Sequence, residues 1–233
     1  MKRVLLPLLA MVALGAQVAS ATTLQDIIDD GNSVVFGDKT FSNFVYSRST
    51  IENGLAGTAS APTASEITVT FSNTGPDYYV TFSGFSLTAD AFLPGDSAEA
   101  NMAISFNVTA GPGFKIASVD QSVTGSWTAN RGHAYSEETV TGVGTMTTNA
   151  GTSSTMNVTP PLKTLHISKD VNVLAEYNGG DSTAHISVVQ QSFHQVVDNA
   201  PEINANLLVS AVSLLLGSVA VLFGRKKFAV NAA

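Results

Sequence analysis

The amino-acid sequence predicts an all-β chain: an antiparallel two-sheet β-sandwich, with a short N-terminal helix after a signal peptide and a single C-terminal transmembrane helix. Three observations predict it. Apolar and polar residues in the middle of the chain alternate with a period of two. The alternating runs are separated by Gly, Asn, Asp and Pro at short intervals. No long amphipathic helix interrupts them, which disfavours α/β folds with a nucleotide crevice.

The elements follow in chain order. Lys2 and Arg3 precede the apolar run Val4 to Leu14, and the small residues Ala19 and Ala21 flank Ser20, so residues 1–21 read as a secretory signal peptide cut after Ala21. The apolar run, about 16 Å as a helix, is too short to span a bilayer. Thr23 is placed to cap a short helix whose apolar face is Leu24, Ile27 and Ile28, with Asp26 at its positive end and Gly31 at its stop.

Val34 to Phe36 and Phe41 to Tyr46 then flank a "GDKT" turn, and "VTFS" recurs at Val69 and Val80 across "TGPD", so two hairpins are expected. In the second arm of the latter the inward parity flips at Gly84, where a bulge is expected. Met102, Ile104, Phe106 and Val108 share one face of a strand with one dry side. Further runs lie near Lys115 to Thr124, Thr139 to Thr147 and Lys163 to Ser168, and "NGGD" at Asn178 to Asp181 reads as the tip of another hairpin. That makes roughly ten strands by pattern reading. Thr147 to Pro161, poor in bulky apolar residues, reads as a long exposed loop. The expected β-sandwich ectodomain covers residues 22–199.

Composition narrows the function classes. The chain has 233 residues, no cysteine and a formal charge of -7. Without cysteine there is no disulfide framework, cysteine zinc site, thiol nucleophile or lipidation cysteine. Five of the eleven basic residues sit in the terminal segments, which leaves six against eighteen acids in the middle. That balance repels nucleic acid and anionic lipid.

The C-terminal end has a different character. Pro201 and Glu202 lie in a linker over residues 200–206, a transmembrane helix is expected over residues 207–224, and residues 225–233 open on the basic stop Arg225, Lys226 and Lys227. Leu207 to Phe223 is free of charge and makes about 25 Å of helix against a hydrocarbon core of about 30 Å, which Gly224 and snorkelling basic stems extend. The basic residues stay cytoplasmic, so the acidic body lies outside. Ser210, Ser213, Gly217, Ala220 and Gly224 recur at steps of three and four and form a small-residue stripe suited to close helix packing.

The order Pro-Glu, short apolar helix, basic cluster resembles the PEP-CTERM sorting signal of exopolysaccharide-producing Gram-negative bacteria. Ile203 stands where that pattern has a second proline. The opening "LQDIIDDGNSVVFGDKTFSNFVYS" also resembles the start of an ectodomain recurrent among such proteins. The resemblance implies an inner-membrane-anchored precursor, handled by an exosortase-type processing enzyme and delivered to the cell surface or extracellular matrix.

Candidate chemistry in the body is sparse. Ser97 lies in "PGDS", a turn sequence without G-x-S-x-G. His133, His166, His185 and His194 show no zinc-ligand spacing, and neither Asp29-Asp30 nor Asp96-Glu99 forms the acid ladder of a calcium loop. No catalytic, cofactor-binding or metal site is therefore assigned. Trp127, Tyr78 and Tyr79 are the aromatic candidates for stacking on sugar rings, with burial the expected state of Trp127. The "NVT" sequons at Asn107 and Asn157 carry meaning only in a eukaryotic secretory pathway. The expected function is that of an exported, non-enzymatic structural or adhesive protein associated with exopolysaccharide or biofilm. A carbohydrate-binding module is the alternative, and a secreted hydrolase the third reading.

Overall fold

The computed structural model describes residues 17–18, 21–129 and 131–198. Its strands are β1 (Gln17–Val18), β2 (Thr22–Thr23), β3 (Ser33–Phe36), β4 (Lys39–Asn53), β5 (Thr58–Ser60), β6 (Thr68–Thr74), β7 (Asp77–Ser83) and β8 (Leu87–Ala91). These are followed by β9 (Ser97–Thr109), β10 (Phe114–Trp127), β11 (Gly132–Val140), β12 (Gly144–Asn149), β13 (Ser153–Leu162), β14 (Thr164–Glu176) and β15 (Ser182–Val197). Among the described residues, helix is confined to α1 (Leu24–Asp29) and one 3-10 turn at Ala64–Glu66.

The strands form two antiparallel sheets. The first runs β1-β6-β7-β15-β10-β13, with β2, β5 and β8 attached at its margins, and the second runs β12-β11-β14-β9-β4-β3. Their inner faces meet through phenylalanines, whose non-directional apolar burial contributes about 1.5–3 kcal/mol per side chain. Phe41 on β4 lies 4.9 Å, centroid to centroid, from Phe71 on β6 and 5.9 Å from Phe193 on β15. Phe106 on β9 lies 6.1 Å from Phe82 on β7. Met102, Ile104, Phe106 and Val108 all face this core, as their alternation predicts.

Local chemistry explains the early elements. Thr23 caps α1 by accepting the Asp26 N–H at 3.1 Å, while the Asp26 carboxylate accepts the Thr23 N–H at 3.3 Å. Satisfying both orphan amides fixes the helix start. The β3–β4 and β6–β7 hairpins stand where the turns predict them. In β4 the register shifts between Ser42 and Val45, and Asn32 pins the irregularity by donating to the Phe44 carbonyl at 2.9 Å and accepting its N–H at 2.5 Å. Phe41 and Phe44 consequently both point inward.

The parity flip at Gly84 takes the form of a strand break rather than a simple bulge. β7 ends at Ser83, Gly84 has φ +76, and β8 resumes at Leu87. β15 answers across the gap, with Ile186 opposite Leu87 and Val189 opposite Phe82. The two residues between, Ser187 and Val188, are both half-buried.

Several expectations are corrected. "NGGD" does not tip a hairpin: β14 belongs to one sheet and β15 to the other, so the turn carries the chain across the core. Thr147 to Pro161 is not a long loop, because it contains the end of β12 and most of β13 around a tight turn. Both are edge strands, and an edge strand buries few side chains, so its composition need not be apolar. Thr139 to Thr147 is two strands, split by a turn in which Gly142 has φ +77. The strands number more than the ten expected because edge and margin strands of two or three residues leave no periodic trace.

Among the described residues no helix is long and apolar enough to cross a membrane. The segment expected to do so, residues 207–224, lies outside them.

Candidate functional site

The residues singled out from the sequence fall into two groups. Pro201 and Glu202, the stripe Ser210, Ser213, Gly217, Ala220 and Gly224, the basic stop Arg225, Lys226 and Lys227, and Ala19 lie outside the described residues. Ala21 is described and exposed, directly before the two residues of β2 that pair with β6.

Within the body the other candidates are separated. Ser97 opens β9 and its hydroxyl accepts from the Asn53 amide at 3.1 Å. The neighbouring "PGD" is turn chemistry, as its composition predicts. Asp96 accepts the backbone N–H groups of Leu55 at 2.9 Å, Ala56 at 3.2 Å, Phe92 at 3.3 Å and Leu93 at 2.8 Å. Burial pushes its carboxyl up, but the four donors outweigh that and hold it below the ordinary value. Asp96 thus clamps two loops together. A Cβ on Gly54 would come 2.2 Å from its Oδ1, so only glycine fits there.

Glu99 accepts from Asn172 at 2.6 Å. His166 pairs with Asn107 at 2.7 Å, and His194 with Asp77 at 2.6 Å. Among the described residues no group of three or more His, Asp or Glu side chains could hold a metal ion.

The aromatic candidates diverge. Tyr78 faces inward and is 6 % exposed, whereas Tyr79 faces outward. Trp127 is not buried as residue statistics suggest: it closes β10 with 37 % of its surface exposed.

Tyr79 belongs to a polar outer face on the first sheet. Tyr79, Ser192, Asp120 and Thr155 form one row across β7, β15, β10 and β13, in which Ser192 donates to Asp120 Oδ2 at 2.7 Å and Thr155 to Asp120 Oδ1 at 2.5 Å. In the next row Gln190 donates to Thr81 at 3.0 Å. Tyr79, Asp120, Ser192 and Gln190, with Ser122 and Ser153, line a shallow recess on the strand surface.

On the inner side of the same strands lies a polar cluster that sequence reading missed. Lys169 on β14 is fully buried, and its ammonium nitrogen contacts Glu138 Oε2, Gln121 Oε1 at 2.6 Å and Gln191 Oε1. Glu138 stands directly opposite Lys169 in the second sheet, while Gln121 and Gln191 come from the neighbouring strands β10 and β15 of the first. Ser136 donates its hydroxyl to Gln121 Oε1 at 3.0 Å, and Gln121 Nε2 donates to the Ser136 carbonyl at 3.0 Å. Burial pulls the Lys169 ammonium below its ordinary value, and the Glu138 carboxylate opposes that. The inward parity of Gln121, Glu138 and Lys169 was the available signal, because each falls in register with apolar neighbours such as Val119, Val140 and Ile167.

No protein-family model matches this sequence, and no curated protein is significantly similar to it.

Proposed function

We propose that this chain is an exported protein of the cell surface or extracellular matrix, anchored as a precursor in the inner membrane by a PEP-CTERM-like tail and structural or adhesive in role. One observation supports this reading above the others. The last strand, β15, ends at Val197, and Pro201-Glu202 follows within five residues in the sequence. A sorting motif must be reachable by a membrane-embedded enzyme, which such a position allows. The two-sheet body without cysteine is consistent with a module built to be stable outside the cell.

The test is to produce the full chain in an exopolysaccharide-forming Gram-negative host with and without its exosortase. The reading predicts surface or matrix protein ending near Ala200 to Ile203 in the first strain, and membrane-held protein retaining Arg225 in the second. Identical termini and identical fractions in both strains would overturn it.

A second reading, carbohydrate binding, is favoured by the outward Tyr79 beside the hydroxyl-lined rows of Ser192, Asp120, Gln190 and Ser122, since an aromatic face next to fixed donors and acceptors suits a pyranose ring. Tyr79→Ala should then abolish retention on the host's polysaccharide while leaving unfolding unchanged. Retention unaffected by the substitution would remove this reading.

A further inference from the structure

The cluster around Lys169 places an amine, an activated carboxamide and a carboxylate in contact, sealed from water. Each component is accounted for. Lys169, Glu138 and Gln191 are wholly buried, Gln121 is 1 % exposed, and Ser136 is buried beside it. The amine nitrogen touches the carboxamide and the carboxylate at once. The Gln121 carbonyl oxygen, which Lys169 touches, also accepts the Ser136 hydroxyl, a donor placed to stabilise negative charge on that oxygen during attack at Cδ. Its amide nitrogen is held by the Ser136 carbonyl, so the group cannot rotate away. Glu138 Oε1, among the described residues, has no hydrogen-bond partner and is a buried acceptor open to a proton.

We propose that Lys169 and Gln121 condense spontaneously into an intramolecular amide that covalently joins the two sheets, with Glu138 as the proton carrier. The ammonium first gives a proton to Glu138, leaving a neutral amine. Its lone pair forms the Nζ–Cδ bond as the carbonyl electrons move to Oε1, where Ser136 stabilises them. Glu138 delivers its proton to Nε2 and takes one from Nζ. The carbonyl re-forms, the Cδ–Nε2 bond breaks, and ammonia departs, while the proton taken from Nζ stays on Glu138. The lysine ammonium, the carboxamide and the Glu138 carboxylate thus become a secondary amide, ammonia and a neutral carboxylic acid, and nothing is oxidised or reduced.

Burial supports the chemistry twice. Loss of solvation favours the neutral, nucleophilic amine. The fixed contacts supply the effective concentration that an uncatalysed amide exchange lacks in water, and the same exclusion of water protects the product from hydrolysis. In a chain without cysteine this bond would restrain the unfolded state as a disulfide does, by closing the loop from β10 to β14. The inference stands independently of how the protein is exported or what it binds.

The molecule also contains a control. Lys39 is equally buried and touches Gln195 and the Asp38 carboxylate. Burial pulls its ammonium below the ordinary value too, but its acid partner Asp38 reaches water and its nitrogen lies 4.1 Å from the centre of the Tyr78 ring. Among the described residues no hydroxyl comparable to Ser136 donates to the Gln195 carbonyl oxygen.

Peptide mapping by mass spectrometry of the full chain tests the proposal directly. The expected result is a branched peptide joining the Gln121 and Lys169 segments, lighter than their sum by one ammonia, with Lys39 and Gln195 in linear peptides. Gln121→Ala should abolish the branch, and Ser136→Ala should slow its appearance after refolding. Linear, unmodified Lys169 peptides from the unaltered protein would overturn the proposal, as would a branch at Gln191 or a branch at Glu138 with loss of water. Since the decisive reading is made on the unaltered chain, a variant that fails to fold does not shield the proposal.

Discussion

Two lysines lie buried among the described residues, and they are buried in different ways. Lys39, at the start of β4, has a partner that reaches water: the Asp38 side chain, 2.5 Å away, is 26 % exposed. The ring of Tyr78 covers its other side. Lys169 has neither solace. Its carboxylate partner Glu138 is as buried as itself, and the remaining contacts are two carboxamide oxygens. The difference teaches that burial alone does not define a polar site. A lysine beside a half-exposed acid and an aromatic face is a long side chain packing its stem while its charge remains served. A lysine sealed with its acid incurs a desolvation cost that the pair's attraction does not reliably return. Such a cluster invites a role in specifying the fold or in chemistry.

Substitutions can break this contrast. The largest effect is expected for Lys169→Ala, which removes the proposed link between the sheets and leaves Glu138 in the core without its partner; it should cost at least about 3–5 kcal/mol, read as the shift in a urea unfolding midpoint. Replacing the set together, with Lys169→Met, Glu138→Leu and Gln121→Leu, should recover the part of that loss due to the unpaired acid, but not the part due to the missing link. Lys39→Ala should cost less, about 1–2 kcal/mol, since Asp38 regains water and the main losses are the ring contact and the hydrogen bonds to Asp38 and Gln195. Equal costs for Lys39→Ala and Lys169→Ala would erase the distinction.

The smallest effect concerns a charged group that neither lysine touches. The Asp96 carboxyl is held below its ordinary value in the folded protein. A depressed carboxyl contributes stability that is present above the unfolded value and is lost as pH falls through the folded one. Lowering the pH from about 5 towards about 3 should therefore loosen the clamp first. Amide hydrogen exchange should quicken at Leu55, Ala56, Phe92 and Leu93 before it quickens in β14. In Asp96→Asn those amides should already exchange quickly at neutral pH and respond little to acid.

These elements also mark where sequence reasoning succeeds and stops. The strand of Met102, Ile104, Phe106 and Val108 was legible because its inner side is wholly apolar and its outer side polar. The Thr23 cap and the "GDKT" and "TGPD" turns were legible because their chemistry is local. β12 and β13 were missed because an edge strand is defined by its neighbour, and nothing in "TTNAGTSSTMNVTPP" announces one. "NGGD" was assigned to a hairpin because turn residues specify a reversal of direction and not which sheet receives the chain. The Lys169 cluster was missed for a related reason. Gln121, Glu138 and Lys169 interrupt apolar parity one at a time, each looking like an ordinary surface residue, and only the pairing of β10, β11, β14 and β15 brings them together. Trp127 was misjudged by statistics, which take no account of its place at the last residue of β10.

Amine labelling of the native protein, followed by unfolding and a second label of different mass, tests the central claim most directly. Lys163, which is exposed, should take the first label, Lys39 only the second, and Lys169 neither. Labelling of Lys169 in the native state, to the extent seen at Lys163, would contradict a lysine sealed between the two sheets and everything built upon it.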